Sequence, residues 1–178
     1  VVTGSIPRQH DVYTVYKAYW HDQRAEGRNA EDLVKEVREY SRRYGALALG
    51  QEKNKLLGLA FKDLRELKVD VSYPFLMEVY RDYEENLLSA EDFHAIVRMV
   101  ESYVFRRAIC AVPTNSMGKT FANFGRELKK DRYLESVKAN FLNMRSYRRF
   151  PRAEEFVARM QDRDLYNFRN RSYWLRKF

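Results

Sequence analysis

Cysteine occurs once in the 178 residues, at Cys110, so neither an intramolecular disulfide nor a cysteine metal cluster can form. Cys110 itself reads as a small buried hydrophobe in an apolar stretch. Glycine (7) and proline (4) are scarce, which excludes an all-β chain with many tight turns. No apolar run approaches the roughly 20 residues needed to cross a bilayer, and no signal peptide is visible. These absences point to a reducing, cytoplasmic setting and to no membrane partner. The chain opens Val-Val-Thr, not Met, and reads as a fragment of a longer protein.

What remains is 45% hydrophobic and 33% charged, a mixture that can bury a core and solvate a surface. The apolar spacing is helical almost throughout. Val12, Val15, Tyr16, Tyr19 and Trp20 form a first stripe behind Pro7. Asn29 caps a second, with Leu33, Val37, Tyr40 and Tyr44, and residues 45–50 read as a short apolar loop or a stray turn of helix. Leu57, Ala60, Phe61, Leu64 and Leu67 form a third. Ser72 and Pro74 read as the cap and first turn of a fourth. Ser89 opens the longest helix, whose Phe93, Ile96, Val97, Val100, Val104 and Ala108 mark a central buried rod. Further stripes run through Met117–Leu128, Leu134–Met144, a short helix begun by Pro151, and Tyr173–Phe178. The expectation is an all-α, irregular bundle of about nine helices. It forms one domain, or two lobes meeting softly near residues 111–116.

Charge is placed unevenly. Residues 1–97 hold 14 basic and 17 acidic side chains, a balance of −3, whereas residues 98–178 hold 19 and 8, a balance of +11. A basic half of this kind faces either phosphates or an acidic partner.

Most candidate chemistry reduces to ordinary structure. Met117-Gly-Lys-Thr120 has the ending of a phosphate-binding loop, but the required first glycine is Pro113 and a helix, not a strand, precedes it. His10, His21 and His94 lack the i, i+4 partner of a helical zinc site, so no metal is expected. Glu84-Glu85, Glu91-Asp92 and Glu154-Glu155 fit helix ends and polar faces. No nucleophile, base and acid converge, so neither an enzyme nor a cofactor or small-molecule ligand is expected of this chain alone.

The arginines are different. Arg145, Arg148, Arg149 and Arg152 crowd a predicted loop with Tyr147 and Phe150. Arg163, Arg169, Arg171, Arg176 and Lys177 follow among Tyr166, Phe168, Tyr173 and Trp174. Arginine with aromatics is the composition of a nucleic-acid surface, which nominates Arg145, Arg148, Arg149, Arg152, Arg169, Arg171 and Lys177 as phosphate contacts. The alternative pairs the arginines with Glu154, Glu155, Asp162 and Asp164 around an aromatic core. A second group, Tyr103, Arg106, Arg107, Thr114 and Asn115, falls at a helix-to-helix junction. There the arginines would bind helix carbonyls or carboxylates, and Thr114 or Asn115 would cap the next helix.

The run Tyr103-Val-Phe-Arg-Arg-Ala-Ile-Cys110, then Pro113-Thr-Asn115 and Phe121 to Leu128, resembles the helical middle region of the GmrSD-type modification-dependent restriction endonucleases. So does the pairing of Asp164-Leu-Tyr166 with Arg171-Ser-Tyr-Trp-Leu175. The likeness is strongest over residues 93–178 and looser over 1–92. In that family, helices join a ParB-like nucleotide-hydrolysing module to a C-terminal HNH nuclease. The motifs of both modules are absent here, so no catalytic residue carries over. The resemblance implies a connecting scaffold in a phage-defence endonuclease, with flanking modules and DNA as partners. A basic face docking an acidic protein is the competing expectation.

Overall fold

The computed structural model describes residues 7–164 and 166–177, the side chain of Glu127 excepted; Leu165 of the Asp-Leu-Tyr motif and Phe178 of the last stripe lie outside them. Among the described residues there are nine α-helices and no strand. They are α1 (Val12–Ala25), α2 (Ala30–Leu49), α3 (Lys55–Leu67), α4 (Tyr73–Glu84), α5 (Ala90–Ile109), α6 (Met117–Phe124), α7 (Tyr133–Asn143), α8 (Ala153–Gln161) and α9 (Arg171–Lys177). No described helix is long and apolar enough to cross a membrane.

The local start signals act where their donors are close in sequence. Asn29 and Asp32 exchange side-chain and backbone hydrogen bonds in a capping box that opens α2. The Asn54 side chain accepts from the amides of Leu56 and Leu57, and Ser89 accepts from that of Asp92. Residues 45–49 continue α2, because Ala46 and Leu47 extend its buried face. The helix stops at Gly50, whose φ of 73° places it in the left-handed region where glycine carries no Cβ penalty. Ser72 does not cap α4. Its hydroxyl donates to the Val69 carbonyl inside the preceding 3-10 turn, and Pro74 occupies the first turn of α4.

The bundle is organised around α5. This helix buries Phe93, Ile96, Val97, Val100, Tyr103, Val104, Phe105 and Ile109, residues that cover most of its circumference, as expected of a rod with neighbours on all sides. It packs on α3, α4, α7 and α8. One core runs continuously from Ala46 to Tyr173, and full burial of each large apolar side chain contributes about 1.5–3 kcal/mol. In contrast, α1 has no fully buried residue and is tied to α2 through Glu36, which accepts from the Tyr19 hydroxyl and pairs with Arg28 at 2.9 Å.

Carboxylates inside this core anchor its two outlying ends. Asp63 on α3 and Glu101 on α5 have side chains only 4% and 6% exposed. Arg98 reaches both at 2.5 Å, Lys177 lies 2.6 Å from Asp63 and 3.0 Å from Glu101, and Arg176 pairs with Asp63 and with Glu66. The Tyr173 hydroxyl donates to Glu101. Three acids and three cations thus neutralise one another where α9 folds back over α3 and α5. Likewise Asp82 on α4 accepts from the Tyr133 hydroxyl and pairs with Lys130 and Arg81, fixing the start of α7.

Burial by itself would raise the Asp63 carboxyl, but hydrogen bonds from Arg98, Lys177 and Arg176 overcome it and hold it down at about 2. Its ionised form is therefore favoured by folding. The stability it contributes is complete above the ordinary aspartate value of about 4 and fades as pH falls toward 2. Asp63→Asn is expected to cost about 1–3 kcal/mol at pH 7, reduced from a fully buried pair because its partners are partly exposed. The loss should shrink below pH 4, as read from urea midpoints across that range.

Candidate nucleic-acid interface

One turn of α5 builds the segment that carries the arginines. The Tyr103 hydroxyl donates to the Arg148 carbonyl at 2.8 Å. Arg106 donates to the Pro151 carbonyl at 3.3 Å. Arg107, fully buried, donates through one guanidinium nitrogen to the carbonyls of Tyr147 (2.8 Å) and Arg149 (3.5 Å), and through the other to that of Pro113 (2.5 Å). It also lies over the Tyr103 ring at 5.1 Å. Burial pulls its guanidinium below the ordinary arginine value, and no carboxylate pairs with it; backbone carbonyls carry the compensation. The carbonyls of Tyr147, Arg148 and Arg149 belong to the 3-10 turn Ser146–Arg148 and its C-cap, and those of Pro113 and Pro151 to loops. The clamp draws the backbone of residues 147–151 onto the core, where Phe150 packs against Tyr103 and Phe141.

The result is a cavity of about 1040 Å³ whose lining includes Arg106, Lys138, Arg145, Arg149, Arg152 and Glu155. Phe141, Phe150 and Pro151 contribute its apolar wall. Five cations face one carboxylate. Glu155 is engaged by Arg149 at 2.5 and 2.6 Å, a bond that raises the guanidinium and lowers the carboxyl. Arg145 donates only to the carbonyls of Leu142 and Met144. Among the described residues Lys138 and Arg152 form no ion pair. Such a concave surface, with cationic donors free for oxygen ligands, suits a phosphate-bearing polyanion.

The nominated residues separate accordingly. Arg145, Arg149 and Arg152 meet in this cavity. Arg148 turns to the opposite side of the loop, beside Thr120, Asn123 and Asn143, with Arg145 bordering both spaces. Arg169 lies in a separate depression with Asp70, Asp162 and Asp164, and Arg171 stands exposed at the start of α9. Lys177 is withdrawn from any phosphate surface, because the last turn of α9 delivers it to Asp63 and Glu101. Among Arg145, Arg148, Arg149 and Arg152, only Arg149 takes a carboxylate.

Thr114 and Asn115 are exposed and cap nothing. Ser116 precedes α6 without a side-chain cap, and it is the Thr114 carbonyl that accepts from the Met117 amide. The Gly-Lys-Thr run is the first turn of α6, with the Thr120 hydroxyl bonded back to the Ser116 carbonyl. Lys138 escaped the sequence reading because it stands alone on α7. Its signal was positional, three residues before buried Phe141 on one side of α7.

Other chemistry is thin. His94 and Cys110 sit sixteen residues apart along α5, roughly 24 Å by helical rise, too far for a nucleophile and its base. Burial pushes the Cys110 thiol up, and burial together with nearby Arg98 holds His94 down. Among the described residues no group of three or more His, Cys, Asp or Glu side chains could hold a metal ion. No family model, curated protein or solved structure matches the chain.

Arg107→Met should leave the carbonyls of Tyr147 and Pro113 unsatisfied and cost about 1–3 kcal/mol. Amide hydrogen exchange should quicken across residues 145–151 while the middle of α5 stays protected. Unchanged exchange in that loop would contradict the clamp.

Proposed function

We propose that this chain is a helical connecting domain that grips nucleic-acid backbone phosphates through the face formed by Lys138, Arg145, Arg149 and Arg152. The observation that carries the reading is the cavity in which five cations meet a single carboxylate, itself occupied by Arg149. Contacts of this kind supply affinity and register but carry little sequence information. The action is therefore positional: a rigid bundle presents a phosphate grip at a fixed place relative to whatever flanks it.

The resemblance to GmrSD-type restriction endonucleases supplies the setting. The flanking units would be a nucleotide-hydrolysing module and a nuclease, and the substrate would be DNA. The arginine-bearing run that carries the resemblance, Tyr103–Cys110, contains the three residues that hold the phosphate-facing loop. In this setting no chemical step belongs to the domain itself.

The full chain should bind duplex or single-stranded DNA at low salt, with log affinity falling against log salt at a slope of about −3 for three to four phosphate contacts. Lys138→Glu with Arg145→Glu should weaken binding at least tenfold and flatten that slope by about 2, with helicity unchanged. Absence of DNA binding at low salt would overturn the reading. Binding of poly-glutamate in preference to DNA would shift the assignment to an acidic protein partner.

A further inference from the structure

On the far side of the Met144–Arg148 turn lies a second pocket, of about 520 Å³, within the roughly 300–1,000 Å³ usual for small-ligand sites. Its lining differs in kind from that of the basic cavity. Three amide side chains, Asn123, Asn140 and Asn143, face it together with Phe124, Tyr147 and Arg148, and no carboxylate lines it.

The hydrogen-bond inventory leaves a mixed set of groups unused. Asn123 donates its amide nitrogen to the Lys119 carbonyl at 2.9 Å, and Asn140 donates to that of Phe124 at 3.5 Å, so both side-chain oxygens remain acceptors. The Asn143 amide lines the pocket with neither donor nor acceptor engaged among the described residues. Arg148 Nε is buried without a partner, while its guanidinium lies over the Tyr147 ring at 5.5 Å. Tyr147 is 55% exposed and lines the pocket.

We propose that this pocket takes an unpaired base of single-stranded DNA whose phosphates lie in the adjoining basic cavity. The assignment rests on the phosphate-grip reading and extends it. A base edge presents the same alternation of donors and acceptors that these amides leave open. A bare phosphate or an acidic peptide would engage Arg145 and Arg148 alone and leave the three neutral amides unused. The exposed Tyr147 face is a stacking platform for a base that has left its neighbours. Arg145 borders both spaces, so a phosphate held there sets its own nucleoside beside the amides. In a duplex the Watson–Crick edges and the faces of the bases are already engaged, and a base reaches a recessed pocket only by leaving the stack.

The test compares a short single-stranded oligonucleotide with an abasic strand of equal length and charge, by fluorescence anisotropy on the full chain at low salt. The intact strand should bind about tenfold more tightly. Asn143→Ala and Tyr147→Ala, both at exposed positions that leave the core intact, should each remove most of that advantage and leave abasic affinity unchanged. Lys138→Glu should weaken both strands alike. Equal affinity for the intact and abasic strands would overturn the base pocket while the phosphate grip stood. Tighter binding of duplex than of single strand would overturn it too, and binding of neither strand would remove both readings.

Discussion

A charged side chain with no counter-charge sits at the centre of this molecule. Arg107 is buried on the middle helix, and its guanidinium is balanced by the Tyr103 ring and by backbone carbonyls of segments that lie far off in sequence or just past the helix end. A buried cation is tolerable in that position only while those carbonyls stay in reach, so the loops are held as firmly as the cation is. Tyr103 and Arg106, on the same turn, take the neighbouring carbonyls at Arg148 and Pro151. Because the backbone of the loop is committed inward, the side chains of Arg145, Arg149 and Arg152 are left to line a cavity together with Lys138.

The same principle, applied with carboxylates, has the opposite outcome elsewhere. At the end of α9 the cations Arg176 and Lys177, together with Arg98 of α5, meet Asp63, Glu66 and Glu101, and the charges cancel inside the fold. In the 145–152 loop the core offers carbonyls and one glutamate, so most of the positive charge stays available to an outside anion. Two arginine-rich stretches of similar composition thus acquire different roles. The first lines an open basic cavity, the surface proposed to meet a polyanion; the second fastens the last helix to the bundle.

How much of this was legible depended on range. The stripes that define α2, α3, α5 and α7 are local, and so are the caps at Asn29 and Ser89, whose donors lie three residues away. Those could be read from the chain. Ser72, Thr114 and Asn115 carry the same capping chemistry, yet the Ser72 hydroxyl turns back to the Val69 carbonyl, and Ser116, not Thr114 or Asn115, directly precedes α6. Asp63, Asp82 and Glu101 look like polar-face acids in a one-dimensional reading. They are buried because cations and tyrosines arrive from helices as many as 114 positions away.

The sequence by itself determined that the chain is helical, where most helices begin, and that positive charge accumulates in its second half, since each of these follows from near neighbours or from counting. Only the tertiary structure decided which cations are cancelled and which stay open, because that depends on whether folding brings a carboxylate or a carbonyl to each one. It also joined two groups that are forty residues apart, the α5 turn and the arginine loop, into a single device. No local rule links Arg107 to Tyr147; their contact exists because α5, α7 and the loop share one core.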